Sequence, residues 1–113
     1  MSNRQPKLLL EDILESAEKI ITYTESLTYD EFIADGKTID AVIRNFEIIG
    51  EAANRLPDEL KDNSSEIDWH KLRGLRNRII HGYFGINYKI IWSIIQEYLH
   101  ELISQIKKLI DAY

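Results

Sequence analysis

The sequence predicts an all-α fold: an antiparallel bundle of four main helices with short helical turns between them. Three observations carry this. Apolar residues recur every three or four positions through the long segments, without the alternation that strands require. Only 2 prolines and 5 glycines interrupt 113 residues. Helix start and stop signals fall at the edges of the periodic segments. Isoleucine is abundant, but its spacing is helical, and spacing outweighs its preference for strands.

The first helix is expected over about 6–25, opening at Pro6, with Leu10, Ile13, Leu14, Ala17, Ile20 and Ile21 on one face. Thr28-Tyr29-Asp30-Glu31 has the form of a capping box and opens a short turn that Asp35-Gly36 ends. A helix over about 37–56 follows, with Ile39, Val42, Ile43, Phe46, Ile49, Ala53 and Leu56 on its apolar face, stopped by Pro57. Residues 57–67 are polar and read as a loop with room for one helical turn. Asp68 is the expected N-cap of a helix from Trp69 to about His81, closed by Gly82. Asn87 caps the last helix, which runs to the C-terminus. Its apolar residues form two adjacent stripes, a wider face than one neighbour requires, and this predicts contact with a second subunit.

At 13.3 kDa and 44% hydrophobic, the chain is expected to form a single domain over 1–113 with a core that needs no staples. Cysteine is absent, which excludes a disulfide scaffold, a thiolate zinc site and a cysteine nucleophile. No apolar run approaches the ~18 residues of a membrane span. The N-terminal segment has no signal-peptide core, so no membrane partner and a cytoplasmic address are expected.

A formal charge of −5 argues against a broad nucleic-acid surface. Its distribution qualifies that. From Trp69 to Gln96 there is no Asp or Glu, while Lys71, Arg73, Arg76, Arg78 and Lys89 all fall there. A basic island in an acidic chain reads either as one confined anion site or as chance clustering on a solvated face.

Arg76 and His81 stand five residues apart at the end of the basic helix. On a continuous helix that offset is about 140° and ~7.5 Å, so the pair shares a face only where the helix closes. Arginine offers phosphate a planar donor fork, and histidine moves protons near neutral pH. Together they suffice for RNA cleavage by transesterification, where the 2′-OH needs a base, the 5′-oxygen an acid and the phosphorane positive charge. A capping histidine beside a salt-bridged arginine is the alternative. Asn77 is placed to orient Arg76, His81 or RNA, or to bond nearby backbone. Lys71, Arg73 and Arg78 are candidate RNA contacts. Tyr83 reads as a ring over the helix end or as an exposed phenol that could accept a modifying group. His70 is read as a partly exposed first-turn residue and Trp92 as core. Glu97-x-x-His100 is a single copy of a spacing that di-metal sites use twice. Glu47 and Glu51, the other conceivable ligands, are expected to pair with Arg44 and Arg55. No metal and no cofactor are expected.

The run Gly74-Leu75-Arg76-Asn77-Arg78-Ile79-Ile80-His81-Gly82-Tyr83-Phe84-Gly85, flanked by Trp69 and Trp92 and preceded by Ile49-Gly50-Glu51-Ala52, resembles the HepT group of HEPN-domain toxins. The resemblance covers essentially the whole chain. It implies a HEPN-like homodimer whose two R-x4-H motifs face one cleft, and a metal-independent endoribonuclease acting on RNA. It implies catalytic Arg76 and His81, a supporting Asn77, and Tyr83 as the acceptor of AMP. The implied partner is an MntA-like minimal nucleotidyltransferase, the antitoxin of a type VII toxin–antitoxin pair. The alternative is a non-catalytic helical partner of such a nucleotidyltransferase.

Overall fold

The computed structural model describes residues 4–80 and 85–113, and among these the chain is helical with no strand. Helix α1 (Pro6–Thr24) starts on a proline whose missing N–H is no loss in a first turn. It buries Leu9, Leu10, Ile13, Ala17 and Ile20. The capping box forms around α2 (Tyr29–Ile33): Glu31 N donates to Thr28 Oγ1 and Thr28 N donates to the Glu31 carboxylate. Phe32 and Tyr29 of this turn pack against Trp92, at centroid distances of 5.2 and 6.0 Å.

Helix α3 (Gly36–Arg55) is capped by Asp35, which accepts from the Thr38 backbone N–H and, at 2.7 Å, from its hydroxyl. The Thr38 hydroxyl is the main cause that holds the Asp35 carboxyl below its ordinary range. Helix α3 packs on α1 with one face and on α5 and α6 with another, while α8 closes over α1. After Pro57 comes α4 (Asp58–Asp62), the one helical turn within the expected loop. Lys61 of this turn is buried and donates to Ala53 O at 3.2 Å.

The expected helix over 69–81 is instead two short ones, α5 (Trp69–Arg73) and α6 (Leu75–Ile79), separated at Gly74. Asp68 caps α5 as expected, accepting from Lys71 N. The second helix stops at Ile79, because Ile80 is already extended (φ −109°, ψ 121°). A competing pairing removes these residues from the helix. Ile80 forms an antiparallel bridge with Ile86, and Ile79 O accepts from Asn87 N at 2.7 Å. Gly85, at φ 80°, supplies the left-handed backbone beside that bridge. Closure of the helix by Gly82 concerns a residue outside the described ones.

The C-terminal segment also divides, into α7 (Tyr88–Glu97) and α8 (Leu99–Asp111). Asn87 caps α7, accepting from Ile90 N. The division is at Tyr98 (φ −125°, ψ −38°), where the ring lies 4.3 Å beneath the Lys71 ammonium. One of the two apolar stripes is buried in the chain's own core and the other keeps part of its surface accessible. Ile91, Ile94, Ile95, Leu99, Leu102 and Ile106 are buried, and Ile90, Trp92, Ile103, Leu109 and Ile110 pack half-buried against them.

Gly50 sets the distance between α3 and α5. A Cβ there would stand 3.1 Å from Leu72 O and 3.5 Å from Arg73 O, both backbone atoms. Gly50→Ala gains roughly 1 kcal/mol of helix propensity, but overpacking typically costs about 1–3 kcal/mol. The expected outcome is a net loss, read as a lower urea midpoint, together with displacement of α5.

Candidate active site

The ridge that carries the cations is built from the two short helices. Trp69, Leu72, Leu75 and Ile79 face inward and are buried, and Trp69 Nε1 donates to Ser64 O at 3.1 Å. The residues between them, Arg73, Arg76, Asn77 and Arg78, are exposed. The apolar spacing thus turns the charged residues outward, which is what a binding ridge needs.

The basic island does not converge on one site. Arg73, Arg76 and Asn77 line an open cleft of about 360 Å³ against α3, whose wall supplies Arg44, Glu47, Gly50, Glu51 and Asn54. Lys71 and Arg78 line a second cleft of similar size, with Ile90, Ser93, Ile94, Glu97, Tyr98 and Glu101. The expectation of one confined anion site is corrected accordingly. Each of the two short helices sends cations to both sides of the ridge, Lys71 and Arg78 to one and Arg73 and Arg76 to the other, and charge counted along the chain cannot register that.

Arg76 is tied across the first cleft. Its Nε donates to Glu47 Oε2 at 3.1 Å, linking α6 to α3. Glu47 was expected to pair with Arg44, so this is a second correction: tertiary packing brings in an arginine 29 positions away in place of the local one. Glu51 does pair with Arg55, at 3.0 Å. On the opposite side, Glu97 accepts from Ser93. Burial pushes the Tyr98 phenol up to about 12, with Asp68 and Glu101 adding to it; its hydroxyl is buried without a hydrogen-bond partner. Periodicity gave no warning of that polar group. His70 and His100 are exposed. Among the described residues no three His, Cys, Asp or Glu side chains cluster as a metal site, and no helix is long and apolar enough to cross a membrane. His81 and Tyr83 lie outside the described residues. What the structure places is the end of the segment that leads to them, with Ile80 N donating to Arg76 O at 2.9 Å.

The family described as Ribonuclease HepT-like matches residues 13–109, which include the whole ridge and its α3 wall. The chain belongs to the HepT-like ribonuclease family. Three of its relatives match it over nearly their whole lengths. The protein named "Putative RNase" of Methanocaldococcus jannaschii is 41% identical over 97% of this chain and 91% of its own. A protein of the same name from Caldanaerobacter subterraneus subsp. tengcongensis is 36% identical over 96% of each. The "Probable ribonuclease HepT" of Thermococcus cleftensis is 38% identical over 94% of this chain and 96% of its own. No solved structure matches the chain.

A HepT-like ribonuclease acts on RNA, and Arg73 and Lys71 stand in different clefts. Arg73→Ala, beside Arg76, is expected to raise the KM for RNA several-fold. Lys71→Ala should leave KM nearly unchanged and instead lower the melting temperature, because its ammonium covers the Tyr98 ring, a contact worth about 0.5–1 kcal/mol when exposed. Equal rises in KM for both variants would count against the assignment.

Proposed function

We propose that the chain is a metal-independent endoribonuclease toxin of a type VII toxin–antitoxin pair, working in the cytoplasm. The observation that carries this is an exposed arginine, Arg76, set in an open cleft beside Arg73 and Asn77 in a member of a ribonuclease family. A phosphodiester in that cleft meets the guanidinium groups of Arg73 and Arg76, with Arg44 on the facing wall, and each can offer planar N–H donors.

In the proposed reaction the 2′-OH gives its proton to a base and attacks the adjacent phosphorus. The bond to the 5′-oxygen breaks, and that oxygen leaves with a proton. The products are a 2′,3′-cyclic phosphate and a 5′-hydroxyl. His81 is the proton-transfer group, Arg76 offsets the charge gathering on the phosphorane, and Asn77 supports them. None of these roles requires a metal ion. DNA lacks the nucleophile and is not cut. The homodimer rests on the resemblance to the HepT group, which sets the clefts of two subunits face to face.

The partner in this reading is an MntA-like nucleotidyltransferase. The Tyr83 phenol attacks the α-phosphorus of ATP, pyrophosphate leaves, and the tyrosine carries AMP. Tyr83 is two residues from His81, so the added nucleotide brings a phosphodiester to the place where RNA must sit. Salt screens charge over ~8 Å, so inhibition that persists in high salt marks occupancy of the cleft and not repulsion.

Cleavage is expected to continue in EDTA. His81→Ala and Arg76→Ala should each lower the rate by about 10²–10⁴ and remain folded, since an exposed ion pair such as Arg76–Glu47 contributes at most about 1 kcal/mol. Activity that vanishes in EDTA and returns with magnesium would sink the mechanism. Tyr83→Phe should cleave RNA but resist silencing by the nucleotidyltransferase with ATP, with intact mass showing no added AMP. Silencing of that variant would mean that Tyr83 is not the acceptor.

A further inference from the structure

The cleft around Arg76 holds a group that an RNA site has reason to avoid. Glu47 projects a carboxylate into a space where phosphates are to bind, and it repels them. Its link to Arg76 is poorly suited to holding the fold together. The two side chains are 56% and 35% exposed, and exposed pairs contribute little to stability. What the contact does achieve is orientation. Arginine loses considerable rotamer freedom when it is fixed, and a site that fixes it before substrate arrives removes that loss from the reaction itself. The bond is made through Nε. The two terminal nitrogens, which form the end-on fork of the guanidinium, are not the atoms that Glu47 occupies.

We propose that Glu47 is a positioning residue for Arg76: from α3 its carboxylate holds Nε and aims the terminal donor fork at the scissile phosphate of RNA. This rests on the reading of Arg76 as the group that stabilises the phosphorane. Two effects of Glu47 then oppose each other. As a charge it weakens RNA binding. As an anchor it raises the rate of the bound complex. A carboxylate with no positioning role would show only the first.

The test is steady-state cleavage of a short RNA by Glu47→Gln and Glu47→Ala, each alone and combined with Arg76→Ala, with kcat and KM determined separately. The melting temperature and the Arg76 Nε–Hε resonance are followed alongside. Glu47→Ala is expected to lower kcat by about ten- to hundredfold, the scale of a misplaced reacting group. KM should be unchanged or lower, and the melting temperature unchanged. Glu47→Gln should fall less, because its amide oxygen still accepts from Nε. The Nε–Hε proton should exchange faster in Glu47→Ala. Adding Glu47→Ala to Arg76→Ala should cause no further loss. The proposal is overturned if Glu47→Ala cleaves at the unaltered rate or faster while Arg76→Ala is inactive. An equal loss in the Arg76→Ala background, with a lowered melting temperature, also overturns it, since that is the mark of a structural role. If Arg76→Ala cleaves like the unaltered protein, the reading of Arg76 fails first, and the proposal falls with it.

Discussion

The close approach of α3 and α5 at Gly50 is the constraint on which the rest of the molecule depends. Helix α3 serves two partners. Its Ile39, Val42, Phe46, Ile49 and Ala53 are buried, and it packs on α1 as well as on α5 and α6. Where Gly50 meets the carbonyls of Leu72 and Arg73, no side chain intervenes. The spacing is therefore set by backbone, which has no alternative rotamer to relax into. The cleft wall and the arginine ridge are held at a fixed separation, and a single carboxylate reaches across it.

The electrostatics follow from that geometry. An acidic chain would ordinarily repel RNA at long range. Here Arg73 and Arg76 lie on one side of the ridge and Lys71 and Arg78 on the other, so positive charge is local and directional. Around Arg76 the cations alternate with Glu47 and Glu51. Such a site discriminates by the placement of donors more than by its summed charge. On the other side, Lys71 is spent on the face of Tyr98, which helps to fix the junction of α7 and α8.

Much of this fold was legible in the sequence. Pro6, the Thr28 capping box, Pro57, Asp68 and Asn87 mark helix ends that the structure reproduces, because caps are local chemistry. The all-α class followed from helical periodicity, the scarcity of proline and glycine and the placement of the cap signals. What was not legible depends on contacts between distant residues. The helix expected to reach His81 ends at Ile79 because Ile80 pairs with Ile86 and Ile79 O with Asn87 N, and no window shorter than the loop contains both partners. Tyr98 divides the last helix although its neighbours keep the helical period. The pairing of Glu47 with Arg76 in place of Arg44 was hidden for the same reason. The residues of the site could be picked out from their chemical types and the resemblance they carry; which side of the ridge each faces could not.

The shortness of α5 and α6 has a consequence for how the molecule comes apart. Each spans five residues, far below the length at which a helix persists unaided, so both exist only while they lean on α3. Helices α1 and α3, at 19 and 20 residues, have no such dependence. The arginine ridge is thus held by its packing, through Trp69, Leu72, Leu75 and Ile79, more than by its own helical hydrogen bonds. Its amides should exchange with solvent through sub-global openings that leave α1 and α3 protected. In that order of opening the Arg76 cleft is lost first, while the helical signal of α1 and α3 persists.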